Sequence, residues 1–276
     1  MNGLHELPLI IFTVLAQVVV GAWLLCAVAL CQTQNGQQHI VRGQFILLIL
    51  LAIGFIASVL HLGSPWRAFN SLNRVGQSML SNEIATGALF FAAAGIYWLL
   101  AILHKLSASL LKIGAICTAL LGLVFMYMMA NLYQIPTVPT WHTSLTSWQF
   151  YLTLILGGSA LAYAFLANNP EANYCLKGFP VVYFVAFVLV IICAVYQLQH
   201  LAQTQSAIQS ALNLVPDYAP LTALRFSLLG LATWLILKAP NTATLYFAAI
   251  LVIVAEFIGR ALFYAVHLTQ GMAING

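Results

Sequence analysis

Charge is what this chain has least of. Only 5% of its 276 residues are Asp, Glu, Lys or Arg, against about 25% in ordinary soluble domains. With 63% apolar residues and a mean hydropathy of +0.98, a soluble globule is excluded and a membrane protein is indicated. Nine Lys and Arg against five Asp and Glu leave a net charge of +4. Spread along the whole chain, that makes no nucleic-acid surface. Paired thiols are also missing. Cys26, Cys31, Cys117, Cys175 and Cys193 include no C-x-x-C, which argues against an iron–sulfur cluster or a structural zinc site. They read instead as small hydrophobes. Alternating segments of about ten residues are absent, so a β-barrel is excluded. No Lys or Arg precedes the first apolar run, 7–30. That run is too long for a signal-peptide core, so it reads as a span despite the cleavage-like Ala27-Val28-Ala29.

What the chain does have is long apolar runs, which read as transmembrane helices beyond about 18 residues. They predict spans at 7–30, 45–61, 82–103, 110–133, 148–167, 179–200, 221–237 and 242–268. The fold class is therefore all-α: a polytopic integral membrane bundle of eight transmembrane helices, one domain over 1–276. Cytoplasmic loops keep the excess of Lys and Arg. One set of alternate loops holds Arg42, Lys105, Lys112, Lys177 and Lys238, while the other, with both termini, holds only Arg67 and Arg74. Both ends are thus expected outside, which is the periplasm for a bacterial inner membrane.

The two outer arginines fall in one stretch, HLGSPWRAFNSLNRVGQSMLSNE at 61–83. His61 closes the second span before the Gly63-Ser64-Pro65 break, and Glu83 opens the third, behind Ser81 as a candidate N-cap. An imidazole and a carboxyl at a membrane boundary suit quinol oxidation, which needs groups that hydrogen-bond the ring hydroxyls and accept protons. The same residues also read as an interfacial histidine and a first-turn carboxylate favoured by the helix dipole. If 65–75 is helical, Arg67, Asn70, Ser71 and Arg74 share a face, for a quinone head, a partner or anionic lipid.

Elsewhere, Glu256 and Arg260 sit at i, i+4 in the last span and read as an ion pair that lowers the expense of burying charge. Arg225 either snorkels to the surface or meets Asp217 or another carboxylate. Outer segments look elaborate. Residues 135–146 carry Pro136, Pro139, Trp141 and His142, and Ile208, Ala211, Leu212 and Val215 suggest a short surface helix stopped by Pro216. His61, His200 and His267 all lie at outer span ends, which keeps a b-type cytochrome anchor open, although no histidine is at mid-span. A secondary transporter would need broken helices and polar groups at the midplane, where only Glu256 and Arg260 stand.

With those residues in view, the chain resembles the membrane-anchor subunits of bacterial anaerobic dimethyl sulfoxide reductases, the DmsC family. The resemblance rests on HELPLIIFTV at 5–14, GFIASVLHLGSPWRAFNSLNRVGQSMLSNEIATG at 54–87, TVPTW at 137–141, LVPDYAPL at 214–221 and AEFIGRALFYAVHLTQGMA at 255–273. It implies an eight-helix inner-membrane protein without haem or iron–sulfur cluster of its own. Such a protein anchors a molybdopterin catalytic subunit and an iron–sulfur electron-transfer subunit on the periplasmic face, and oxidises menaquinol. It also implies that His61 of the HLGSP motif and Glu83 of the SNE motif form the quinol site, to which the residue reading adds Arg67 and Arg74.

Overall fold

A computed structural model describes residues 6–61, 70, 72–167, 174–205, 210–238 and 241–269. The His61 side chain and Arg67 lie outside the described residues. Among those described, eight helices are long and apolar enough to cross a membrane: α1 Leu7–Gln32, α2 Gln37–His61, α3 Met79–Ile102, α4 Ala108–Leu132, α5 Ser144–Leu166, α6 Gly178–Gln203, α7 Tyr218–Lys238 and α8 Thr242–Ala265. Each is continuous, without the interruption a transporter site would need.

Local chemistry sets several helix ends. A proline occupies the first turn of α1, where no N–H is needed. Ser107, Thr143 and Asn241 cap α4, α5 and α8 by accepting bonds from Leu110, Leu145 and Thr244 amides. The Lys112 ammonium donates to the Cys31 carbonyl at 3.3 Å, holding a C-terminal carbonyl of α1. Most of the helices run past a predicted apolar limit because polar first turns, such as Gln37 to Arg42, continue the backbone ladder, whereas α8 stops at Ala265, short of the predicted 268. Arg42 therefore lies in α2 rather than in a loop.

The packing divides into two four-helix halves. In the first, α1 packs on α2 and α4, and α3 on α2 and α4. In the second, α5 packs on α6 and α8, and α7 on α8. The halves meet chiefly along α1 and α5. These two are the central helices: 78% of the most apolar window of each is buried, against 22% for α6 and α7. The seam depends on small residues. A Cβ on Gly158 would lie 2.6 Å from the Gly21 Cα, and one on Gly21 would collide with the Leu154 carbonyl.

The loop between α4 and α5, at the Glu83 end, folds inward. The Trp141 indole donates to the Phe263 carbonyl at 2.9 Å, and Val138 and Trp141 are buried. The predicted surface helix is shorter than expected. Residues 206–209 are not described, and Ala211–Leu214 is a 3-10 turn whose Ala211, with Val215, packs against Leu201, Leu262 and Val266. This turn closes over helix ends, because its apolar residues find protein rather than lipid.

Candidate functional site

The N-terminal end of α3 differs from the sequence expectation in one respect. The N-cap is Ser78, not Ser81, and it makes no side-chain cap bond. Instead the Asn82 carboxamide oxygen accepts from the Gly76 amide at 2.6 Å, across a turn where Gly76 has φ of 87°. Starting three residues earlier carries Glu83 past the first turn and into the bundle. Its side chain is only 4% exposed, and the Oε1 atom has no hydrogen-bond partner. A buried polar atom without a partner is rare and calls for an explanation.

The face that carries Glu83 also carries Gly87, one turn further in. A Cβ on Gly87 would lie 2.9 Å from Phe125 and 3.0 Å from Phe55. Phe55 in turn contacts Phe12, Phe91 and Phe125, with ring centroids 5.4, 5.7 and 6.1 Å apart. Glu83 thus stands over an aromatic floor built by α1, α2, α3 and α4. Phe55 lies on α2, which His61 closes, so the backbone brings the His61 end of α2 alongside the Glu83 end of α3. The meeting of the two side chains, like the role of Arg67, falls outside the described residues. Arg74 closes the 3-10 turn Leu72–Arg74, where its carbonyl accepts from the Gln77 and Ser78 amides and the residue is exposed.

Groups that sequence reasoning missed lie at the same end of the bundle as Glu83. Glu83 interacts electrostatically with the hydroxyls of Tyr133 and Tyr264, which are hydrogen-bonded to each other. Trp141 and Phe263 stack beside them at 5.0 Å. His267 packs on Trp141 at 4.6 Å, and the His200 Nε2 lies 3.1 Å from the Pro139 carbonyl, so both histidines serve this end of the bundle. One partner of the last span was signalled in the sequence: Gln17 is the lone amide in the run 7–30, and polar residues inside a span are rare enough to suggest a partner.

The partners of the last-span charges also need correcting. Arg260 does not pair with Glu256. Its Nη2 donates to Gln17 Oε1 at 2.8 Å, and its guanidinium lies 3.6 Å from the centre of the Phe150 ring, a cation–π contact. Glu256 instead accepts from Arg225 Nη2 at 2.9 Å and from the Thr153 hydroxyl. The i, i+4 spacing put both groups on one helix face, but each found a better-placed partner on a neighbouring helix.

Comparison with known proteins adds a finding that spans the whole sequence. The family model described as DMSO reductase anchor subunit (DmsC) matches residues 1–266. An anaerobic dimethyl sulfoxide reductase chain of Haemophilus influenzae is 50% identical over 277 residues, covering 100% of this protein and 99% of the relative. Two Escherichia coli proteins are similarly close. The anaerobic dimethyl sulfoxide reductase chain YnfH is 46% identical over 100% of this protein and 99% of its own length. A second anaerobic dimethyl sulfoxide reductase chain of that organism is 44% identical over 99% of each.

Proposed function

Because the chain belongs to the DMSO reductase anchor subunit family, DmsC, we propose that it oxidises menaquinol at Glu83 and His61 and passes the electrons to a partner subunit. The chain is a multi-pass protein of the bacterial inner membrane and the anchor of an oxidoreductase complex, which implies catalytic and electron-transfer partners. In this reading those partners are a molybdopterin subunit, which reduces dimethyl sulfoxide or a related oxide, and an iron–sulfur subunit. Both dock at the Glu83 end, on the periplasmic side. The anchor contributes no haem and no cluster of its own.

The observation that carries the reading is the orphaned Glu83 Oε1, buried and without a protein partner. A quinol hydroxyl donating to it would supply the missing bond. Menaquinol enters from the lipid between α2 and α3, whose Val59, Leu60, Met79 and Leu80 are exposed. Oxidation to menaquinone removes two protons and two electrons. Glu83 takes one proton and the His61 imidazole the other, a role that imidazoles commonly fill. The electrons leave singly to the partner's iron–sulfur centre. In this reading Arg67 and Arg74, both in the sequence that joins α2 to α3, frame the quinone head or the partner.

In the assembled complex, Glu83→Gln or His61→Leu is expected to lower menaquinol-driven reduction at least about 100-fold, the scale of a lost proton acceptor. Reduction driven by a soluble dye, which bypasses the anchor, should persist. Wild-type quinol-driven rates in both variants would refute the assignment.

A further inference from the structure

The second half of the molecule holds a polar cavity that the quinol reading does not use. It lies between α5, α6, α7 and α8, with a volume of about 30 Å³. Gln197, Thr222 and Arg225 line it from two helices, and Tyr218 and Val266 line it towards the Glu83 end. Three buried polar atoms belong to these lining side chains and have no hydrogen-bond partner: Gln197 Oε1, Thr222 Oγ1 and Arg225 Nε. An acceptor, a hydroxyl and a charged N–H thus border one small space. Three orphans at one cavity are more than chance burial would leave.

Size decides what can satisfy them. A water needs about 10–15 Å³ of such volume and two to four polar partners, whereas a benzene-sized ring needs a cavity of about 150 Å³. The space holds about two waters and no quinone ring. We propose that it is an internal water site, filled from the Glu83 end, that hydrates Arg225 and, through it, the Glu256 carboxylate. Arg225 turns one N–H to Glu256 at 2.9 Å and leaves Nε for the water. Gly259 makes room for this arrangement, since a Cβ there would lie 2.5 Å from the Arg225 Cζ. The pair is therefore a hydrated one whose protons exchange with the aqueous phase, with covalent change confined to O–H and N–H bonds. Around Glu256 the other facing groups are Thr153 from α5, Tyr183 from α6 and Arg260 on its own helix.

Hydroxyl-radical labelling of the purified complex, read by mass spectrometry, tests this without relying on turnover. Phe263, 4% exposed, lines the cavity, whereas Phe90, 0% exposed, packs in the other half. Because radicals form from water in contact with the side chain, Phe263 should be oxidised at least about tenfold faster than Phe90. Gln197→Leu with Thr222→Val removes the polar lining and should bring Phe263 down to the Phe90 rate. Gly259→Ala, which puts a methyl against the Arg225 guanidinium and narrows the space while keeping Gln197 and Thr222, should do the same. Equal rates for Phe263 and Phe90 in the native complex would overturn the proposal. So would fast labelling that survives in the variants. Neither result depends on whether quinol reacts at Glu83.

Discussion

Glu83 in the first half of the bundle and Glu256 in the second are buried alike, 4% and 2% exposed, yet they are held in opposite ways. Glu256 is matched: Arg225 supplies the opposite charge and Thr153 a hydroxyl, and Arg225 in turn lines a cavity with room for water. Glu83 has aromatic rings beneath it and an oxygen with no partner. A buried charge that is compensated belongs to the structure. A buried carboxyl that is not compensated stays open to a ligand, at the expense of stability. The difference separates what holds the bundle together from what it does.

The contrast breaks most visibly at Glu256. Replacing it with leucine strands the Arg225 cation, which should destabilise the bundle by about 3–5 kcal/mol, the usual penalty for removing one member of a buried pair. Replacing Arg225 with leucine as well should recover most of that loss, since two well-packed apolar groups replace two charges. Thermal unfolding in detergent of both single variants and the double variant closes the cycle. A double variant as unstable as the sum of the singles would show that the pair is not a unit.

At Glu83 the sign reverses. Leucine there removes an unpaired polar atom, so the protein should become more stable by about 1–3 kcal/mol, while menaquinol-driven turnover is lost. Stability and activity would then move in opposite directions at Glu83 and together at Glu256. Loss of stability in Glu83→Leu would mean that the carboxyl has a structural partner, and the contrast between the halves would fail.

Much of this architecture was legible in the chain. Length and hydropathy alone place all eight spans, because a helix buried in lipid must be apolar over its whole crossing. The HLGSP and SNE stretches point to the Glu83 end by a different signal, a histidine, two arginines and a carboxylate gathered in one outer stretch of a chain poor in charge. What the chain did not disclose is which helices meet. Periodicity relates a residue to its own helix, so Glu256 was assigned to Arg260, four residues on, when its partner lies 31 residues back at Arg225. Tyr133 and Tyr264, 131 residues apart, and Gln17 with Arg260, 243 apart, are brought together by packing that no local pattern encodes. The misplaced cap has a different origin. Ser78 and Ser81 are equally good N-cap residues, and the Asn82–Gly76 bond, which depends on a positive φ, settles the choice.

The mildest effect is expected at Arg74. Its charge is exposed on the 3-10 turn, and the turn is held by its backbone carbonyl rather than its guanidinium. Any substitution keeps that carbonyl. Arg74→Gln should therefore change menaquinol-driven turnover less than about threefold at moderate salt, since exposed charges are screened within a Debye length of about 10 Å. If its contribution is to draw an acidic partner or an anionic lipid to this face, the small loss should grow as ionic strength falls. A salt-independent loss as large as that of Glu83→Gln would instead mean that Arg74 reaches the quinol itself, and the functional centre would have to be moved from the buried end of α3 to its surface turn.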